Sequence, residues 1–135
     1  MQQVSLNSRP QDAYKKQGVL TATPVELVVM LYDGLKKNMI LGQRSIEKRN
    51  VQKAHDHLIK AQMIVTELMN SLDLNYGISD ELLNLYEYIL KTLEEANLSK
   101  DSEMIEPLIG MVDSLRGAWS EINESNKGNL HLEEG

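Results

Sequence analysis

The segment that decides the fold runs from Asn50 to Leu72 and has the sequence NVQKAHDHLIKAQMIVTELMNSL. Its apolar residues are alternately four and three positions apart, which is the spacing of one buried face of a packed helix. Asn50 is a favourable N-cap, so we expect the helix to begin directly after it. The segment therefore predicts a helix within a bundle, with these residues along its buried face: Ala54, Leu58, Ala61, Val65, Leu68 and Leu72.

A helix with the same kind of buried face is predicted just before this segment. Thr23 and Glu26 have the spacing of a capping box, and Pro24 occupies the first helical position, where its missing N–H costs nothing. Apolar residues follow at four-residue spacing, and the pattern ends at Gly42 or a few residues later. They are Leu27, Leu31, Leu35 and Met39.

Two further helices are predicted after a turn at residues 75–77. Ser79 is expected to cap the third helix, which has apolar residues at helical spacing up to Ala96. The fourth is expected from about Ser102 to Ile122, with Ile122 facing inward. Pro107 falls inside its pattern and removes a backbone hydrogen bond, so we expect a kink or a later start.

The four segments predict an all-α fold, an antiparallel up-down four-helix bundle with a flexible N-terminal arm. The chain has 135 residues, close to the commonest size of a single domain. Residues 1–21 show no sustained periodicity and are predicted to form the arm. Residues 22–124 are predicted to form the bundle, and the polar residues 125–135 a disordered tail.

Composition excludes several classes of function. The net charge is −6, with ten Lys/Arg and six Asp/Glu in residues 1–67 but four and fourteen in residues 68–135. We expect no nucleic-acid partner, because an acidic chain without a clustered basic stripe lacks the charge that supplies most such affinity. The asymmetry instead suggests complementary helix faces or a partner of mixed charge. No apolar run could span a bilayer and no signal peptide is evident, so we expect a cytoplasmic protein that binds no membrane.

No constellation of residues predicts catalysis, a cofactor or a metal site. The chain has no cysteine and no Glu-x-x-His pair. His55 and His57 are two residues apart and do not share a helix face, so we interpret them as surface residues. Asp33 has no acid, base or nucleophile partner, and we expect a surface or inter-helix hydrogen bond for it. We predict that the protein is not an enzyme.

The chain has more apolar residues than one buried face per helix requires. On the second helix these extra residues are Ile59, Met63, Ile64 and Met69. They indicate either a thick core or an exposed groove that receives an amphipathic segment of another protein. The sequence leaves both interpretations open.

Several blocks of the sequence together resemble the FliS family of flagellin export chaperones. The opening block has Tyr14, the run VLTATPVEL at residues 19–27 and MLYDG at residues 30–34. Further blocks follow in the same order: KAQ at 60–62, EL at 67–68, SLD at 71–73, LYEY at 85–88, EAN at 95–97, Asp101, LR at 115–116 and AW at 118–119. The resemblance covers about residues 14–119. The sequence departs from the family pattern at Asn38, Tyr76 and Pro107.

The resemblance implies a helical-bundle chaperone that binds the disordered C-terminal segment of flagellin. Such a protein prevents premature polymerisation in the cytosol and delivers flagellin to the flagellar type III export apparatus. It also implies that the arm around Tyr14 covers part of the binding groove until the client displaces it. The export gate or a flagellar regulator is a further candidate partner, and the protein would be a monomer or weak homodimer.

Residues that contact the partner are expected on the second and third helices and in the arm, with Tyr32 of the first helix beside them. For each helical residue, a place in the core is an equal alternative. The alternative function is a self-associating structural or regulatory adaptor. The candidate contact residues are Tyr14, Leu20, Tyr32, Ile64, Leu68, Leu72, Leu85, Ile89 and Leu93.

Overall fold

The structure is a computed structural model, which describes residues 23–73 and 77–134, without the side chains of residues 123 and 125–134. The described residues form four α-helices, which confirms the predicted all-α bundle. The predicted arm at residues 1–21 lies outside the described residues. The helices are α1 (Pro24–Glu47), α2 (Val51–Asn70), α3 (Ile78–Ser99) and α4 (Glu106–Glu134), and a short 3₁₀ turn (Ser102–Met104) precedes α4.

The first two helices begin with the predicted caps. The Thr23 hydroxyl accepts a hydrogen bond from the Glu26 amide at 3.1 Å, and the Glu26 carboxylate accepts one from the Thr23 amide at 2.9 Å. The Asn50 side chain accepts a hydrogen bond from the Lys53 amide at 3.1 Å. Both caps satisfy amides that would lack a partner at a helix start, so these starts are encoded locally.

The helices that pack side by side are antiparallel. α1 packs along both α2 and α4, and α2 also packs along α3. In each interface the residue numbers rise on one helix as they fall on the other, which is the register of an up-down bundle; between α2 and α3, His55 contacts Asn97 and Asp73 contacts Ser79. The contacts that fix it are Gly34 with Ile64 and Gly42 with Leu58 between α1 and α2, and Asp33 with Arg116 and Gln43 with Glu106 between α1 and α4.

The core lies between all four helices. The predicted face of α2 is buried from Ala54 to Leu68, and Leu72, beyond the end of the helix, is half-buried. Along the described residues, α3 and α4 make few direct backbone contacts, so α1 and α2 form the closely packed centre. The largest fully buried side chains are Tyr32, Tyr86, Leu35, Met39, Leu58, Leu68, Ile89, Leu93, Ile105 and Leu108.

The start of α3 differs from the prediction that Ser79 caps it. The helix begins at Ile78, with Gly77 at the N-cap and no side-chain cap hydrogen bond. Ser79 is buried in the first turn, and its hydroxyl donates to the Asp73 carbonyl. The serine therefore ties the helix to the preceding residues, a role that helix-cap preferences do not distinguish from capping.

The fourth helix begins later than Ser102, which is one of the two outcomes expected from Pro107. The proline is the second residue of α4, where its missing N–H leaves no helical hydrogen bond unmade. Ile122 is 46% exposed, so its predicted inward position is wrong. The helix continues to Glu134, because polar residues and Gly128 weaken a helix without terminating it. The mobility predicted for residues 125–135 stays a prediction.

Within the described part of the chain, none of the helices is both long and apolar enough to span a membrane.

Candidate functional site

The outer surface between α2 and α3 contains a groove of about 370 Å³. Its apolar lining consists of Ile59 and Met63 from α2 and Leu90 from α3. Ile59 and Leu90 are half-buried, whereas Met63 is 53% exposed. The remaining lining residues are polar: Gln62, Thr66, Glu67, Asn70 and Glu94.

The groove lies along a second face of α2, next to the face that fills the core. Ile59, Met63 and Thr66 are spaced by four and three positions, so they share one side of the helix. α2 therefore has two apolar faces, one towards the core and one towards the groove. This arrangement accounts for Ile59 and Met63, two of the four apolar residues of this helix beyond its buried face.

The polar residues of the groove surround its apolar residues Ile59, Met63 and Leu90. The Thr66 hydroxyl donates to the Gln62 carbonyl at 3.0 Å, so it is satisfied within α2. Glu67 and Glu94 are exposed on opposite helices and place a carboxylate on each side. A row of apolar side chains from another segment would bury Met63 against Ile59 and Leu90, with carboxylates available at the edge for polar contacts.

The helical residues predicted to contact the partner lie in the core or at its edge. Tyr32, Leu68, Ile89 and Leu93 are fully or almost fully buried. In this conformation they form the core, which was the stated alternative for each of them. Tyr14 and Leu20 lie outside the described residues. The half-buried positions are Ile64, Leu72 and Leu85.

Ile64 shows why its neighbour Met63 is the better candidate. The Ile64 Cδ1 atom lies 3.3 Å from the position that a Cβ on Gly34 would occupy, so Ile64 packs against α1. Met63 is one residue earlier and points about 100° away around the helix, towards the groove. The groove residues Ile59, Met63 and Leu90 were absent from the predicted contact set, although Ile59 and Met63 had been identified as extra apolar residues.

A buried pair of tyrosines connects α1 with α3 across the core. The hydroxyls of Tyr32 and Tyr86 are hydrogen-bonded to each other, and the ring centroids are 6.5 Å apart. Burial raises the pKa of both phenols, and that of Tyr32 well above its ordinary value, because a phenolate would lose its hydration. Both rings stay neutral at physiological pH, and their hydrogen bond satisfies two polar groups inside the bundle.

The residues considered for chemistry have structural roles. Asp33 accepts a hydrogen bond from Arg116 Nε at 2.8 Å, which confirms the expected inter-helix hydrogen bond. His55 is exposed and His57 is half-buried, and each is hydrogen-bonded to an asparagine. Within the described residues, no group of three or more His, Cys, Asp or Glu side chains could hold a metal ion. The described geometry offers an apolar binding surface.

Comparison with known proteins gives a consistent result. The family model for flagellar protein FliS matches residues 7–126. The flagellar secretion chaperone FliS of Bacillus subtilis is 35% identical over 90% of this chain and 92% of its own. That of Salmonella typhimurium is 31% identical over 80% of this chain and 82% of its own.

A solved structure of a bacterial flagellar chaperone has the same fold, with a TM-score of 0.72 and 16% identity. The match covers 87% of this chain and 99% of that one. The extent of the family match, together with relatives more than 30% identical over most of both chains, shows that this chain belongs to the FliS family of flagellar secretion chaperones.

Proposed function

We propose that this chain is a cytoplasmic export chaperone for flagellin. It binds the disordered C-terminal segment of flagellin in the groove between α2 and α3. Binding prevents premature polymerisation, and the complex delivers flagellin to the flagellar type III export apparatus. The function requires no catalysis and no cofactor.

The observation that carries the proposal is the exposed apolar face of α2 at the groove. Met63 is 53% exposed although it lies beside two other apolar side chains, Ile59 and Leu90. An amphipathic segment that orders in the groove would bury these atoms, and the burial would offset part of the ordering cost of about 2–5 kcal/mol. Family membership supports the choice of a flagellar client.

A buried segment cannot take part in another assembly at the same time. Flagellin with its C-terminal segment in the groove would therefore be unable to add to a filament until the segment is released. We further propose that Tyr14 and Leu20 in the arm cover the apolar surface when no client is present, and that the export gate or a flagellar regulator binds the complex.

The test compares two methionine substitutions with different locations. Met63→Asp places a carboxylate in the groove, whereas Met30→Asp places one on α1, where Met30 is 41% exposed and outside the groove. Burial of one methionine is worth about 1.5–3 kcal/mol when complete. Since about half of Met63 is already buried, its loss alone corresponds to roughly 1 kcal/mol, and the desolvated carboxylate adds to it.

We expect Met63→Asp to weaken binding of a labelled C-terminal flagellin peptide by about 10-fold or more, where 10-fold corresponds to about 1.4 kcal/mol. Met30→Asp should stay within about 2-fold of the unmodified protein. Fluorescence anisotropy measures both, and circular dichroism verifies that each variant is folded. Equal affinity for Met63→Asp and the unmodified protein would exclude the groove as the binding site. A mass that doubles without peptide would favour the self-associating adaptor.

A further inference from the structure

Folding brings a lysine of α1 close to two lysines and a histidine of α2. Lys37 lies on α1, and Lys53 and Lys60 lie on α2 on either side of His57. The two helices are in contact at this point: His57 Nδ1 of α2 and Asn38 Oδ1 of α1 are 3.2 Å apart. We define these three lysines and His57 as the basic cluster. No continuous stretch of the chain contains all four residues, so the sequence shows no basic stripe.

The lysines of the basic cluster are exposed and available. None of the three forms an ion pair with a carboxylate in the described part of the chain. Their neighbour Lys36, by contrast, is bonded to Asp113 of α4 at 2.6 Å. The carboxylate of the same helix face, Asp56, accepts a hydrogen bond from Gln52 at 2.9 Å. The cluster therefore presents an excess of positive charge on the α1–α2 side of the bundle, beside the groove, since Lys60 and the groove residue Met63 are three positions apart on α2.

His57 gives the cluster a fixed hydrogen-bonding group. Asn38 Nδ2 donates to the Gly34 carbonyl at 2.9 Å, so its Oδ1 faces the imidazole and accepts the Nδ1 proton. The remaining ring nitrogen, Nε2, is then unprotonated in the neutral form. It becomes a donor only when the ring takes up a second proton.

The charges around His57 come from both helices. Desolvation lowers its pKa first, and then Lys60, Lys53 and Lys37 lower it further, whereas Asp56 opposes them. Three ammonium groups from α1 and α2 are therefore close enough to act on one imidazole. An anion bound among them would reverse their effect and favour the imidazolium.

We propose that the basic cluster is a docking surface for a short acidic segment of a partner protein, distinct from the apolar groove. Lys53 and Lys60 are seven residues apart, which is two helical turns or about 10 Å. An extended segment covers that distance with about three residues. Two or three Asp or Glu side chains in such a segment would match the lysines in number and spacing.

A short segment fits better than a nucleic acid or a membrane. Residues 68–135 carry fourteen acidic and four basic residues, so most of the bundle repels an extended polyanion. At physiological ionic strength charges are screened beyond about 8 Å. A segment of a few residues therefore interacts mainly with the local cluster, whereas a polyanion also approaches the acidic α3 and α4.

The test uses an eight-residue glutamate peptide as the probe, with an eight-residue lysine peptide as the opposite-charge control. Lys60→Gln removes a cluster charge, and Lys91→Gln removes an exposed lysine on α3. Exposed ion pairs contribute about 0.2–1 kcal/mol each, so Lys60→Gln should weaken binding of the glutamate peptide by about 1.4- to 5-fold. Substitution of Lys37, Lys53 and Lys60 together should weaken it more than Lys60→Gln alone. Lys91→Gln should leave affinity unchanged.

The pKa of His57 distinguishes binding at the basic cluster from general charge attraction, because only a peptide bound at the cluster changes it. We expect the glutamate peptide to raise the pKa of His57, so binding takes up a proton and should strengthen by about 2- to 10-fold from pH 8 to pH 6. His57→Gln should remove this dependence. NMR titration of the imidazole measures the shift directly.

The proposal would be overturned if Lys91→Gln and Lys60→Gln lowered affinity for the glutamate peptide equally. It would also be overturned if the pKa of His57 did not change when the peptide binds. Tighter binding of a single-stranded oligonucleotide or of anionic phosphatidylserine vesicles than of the glutamate peptide would also overturn it. Binding to the glutamate peptide that is lost in the triple substitution and kept in the uncharged variant Met63→Ala would support a surface separate from the groove.

Discussion

Gly42 allows the closest described approach of a glycine to a neighbouring helix. A Cβ at this position would lie 2.8 Å from Leu58 Cδ2 and 3.0 Å from Leu58 Cγ. Leu58 is completely buried, so its side chain has no free space to move into. Gly42→Ala should therefore force α1 away from α2 or push Leu58 into its neighbours, at a cost of about 1–3 kcal/mol.

Alanine also has a higher helix propensity than glycine, which is worth about 1 kcal/mol. Gly110 is the matched control, because it lies in α4, is exposed and would have no atom within 4 Å of an added Cβ. Gly110→Ala should gain the propensity alone and become more stable by up to about 1 kcal/mol. Gly42→Ala should range from unchanged to about 2 kcal/mol less stable, which leaves about 1–3 kcal/mol between the variants.

Urea denaturation followed by far-ultraviolet circular dichroism measures this difference, provided that both variants unfold in one transition. Equal stability of the two variants would refute the close α1–α2 contact. It would also count against the proposed docking surface at the basic cluster, because that cluster forms only where α1 and α2 pack together.

Two further predictions concern stability. Thr23→Ala should lower the free energy of unfolding by about 1 kcal/mol, because it removes the acceptor of the Glu26 amide; an unchanged urea midpoint would contradict this. The buried Tyr32 and Tyr86 keep their protons at a pH where the unfolded chain loses them, so their contribution is complete below about pH 10 and declines above it, by up to about 1.4 kcal/mol per pH unit for each ring. Replacement of both tyrosines by phenylalanine should remove that decline in alkaline denaturation curves, and an unchanged decline would show that other groups cause it.

The bundle was predictable because local patterns encode most of it. The cap at Thr23 depends on residues within one turn, and the buried face of α2 follows from its apolar spacing. Ser79 was wrong as a cap because its hydroxyl finds a partner at Asp73, on the other side of the α2–α3 connection. Ile122 was wrong as a buried residue, since it is 46% exposed.

The site was less predictable, because it depends on how the helices are placed around one another. Met63 and Ile64 are adjacent and both apolar, but Ile64 packs against Gly34 of α1 and is half-buried, whereas Met63 lies at the groove and is 53% exposed. The basic cluster shows the same limit, since Lys37 and Lys60 meet only after α1 and α2 pack. Periodicity within one helix contains no information about the rotation of its neighbours.

The proposal that this chain binds the C-terminal segment of flagellin can be tested by calorimetric titration of the purified protein with that segment. An N-terminal segment of flagellin of equal length is the control. We expect saturable one-to-one binding of the C-terminal segment, with a negative heat-capacity change from burial of apolar surface. We expect much weaker binding of the N-terminal segment. If the C-terminal segment does not bind, or if both segments bind equally, the protein is not a chaperone for the C-terminal segment of flagellin.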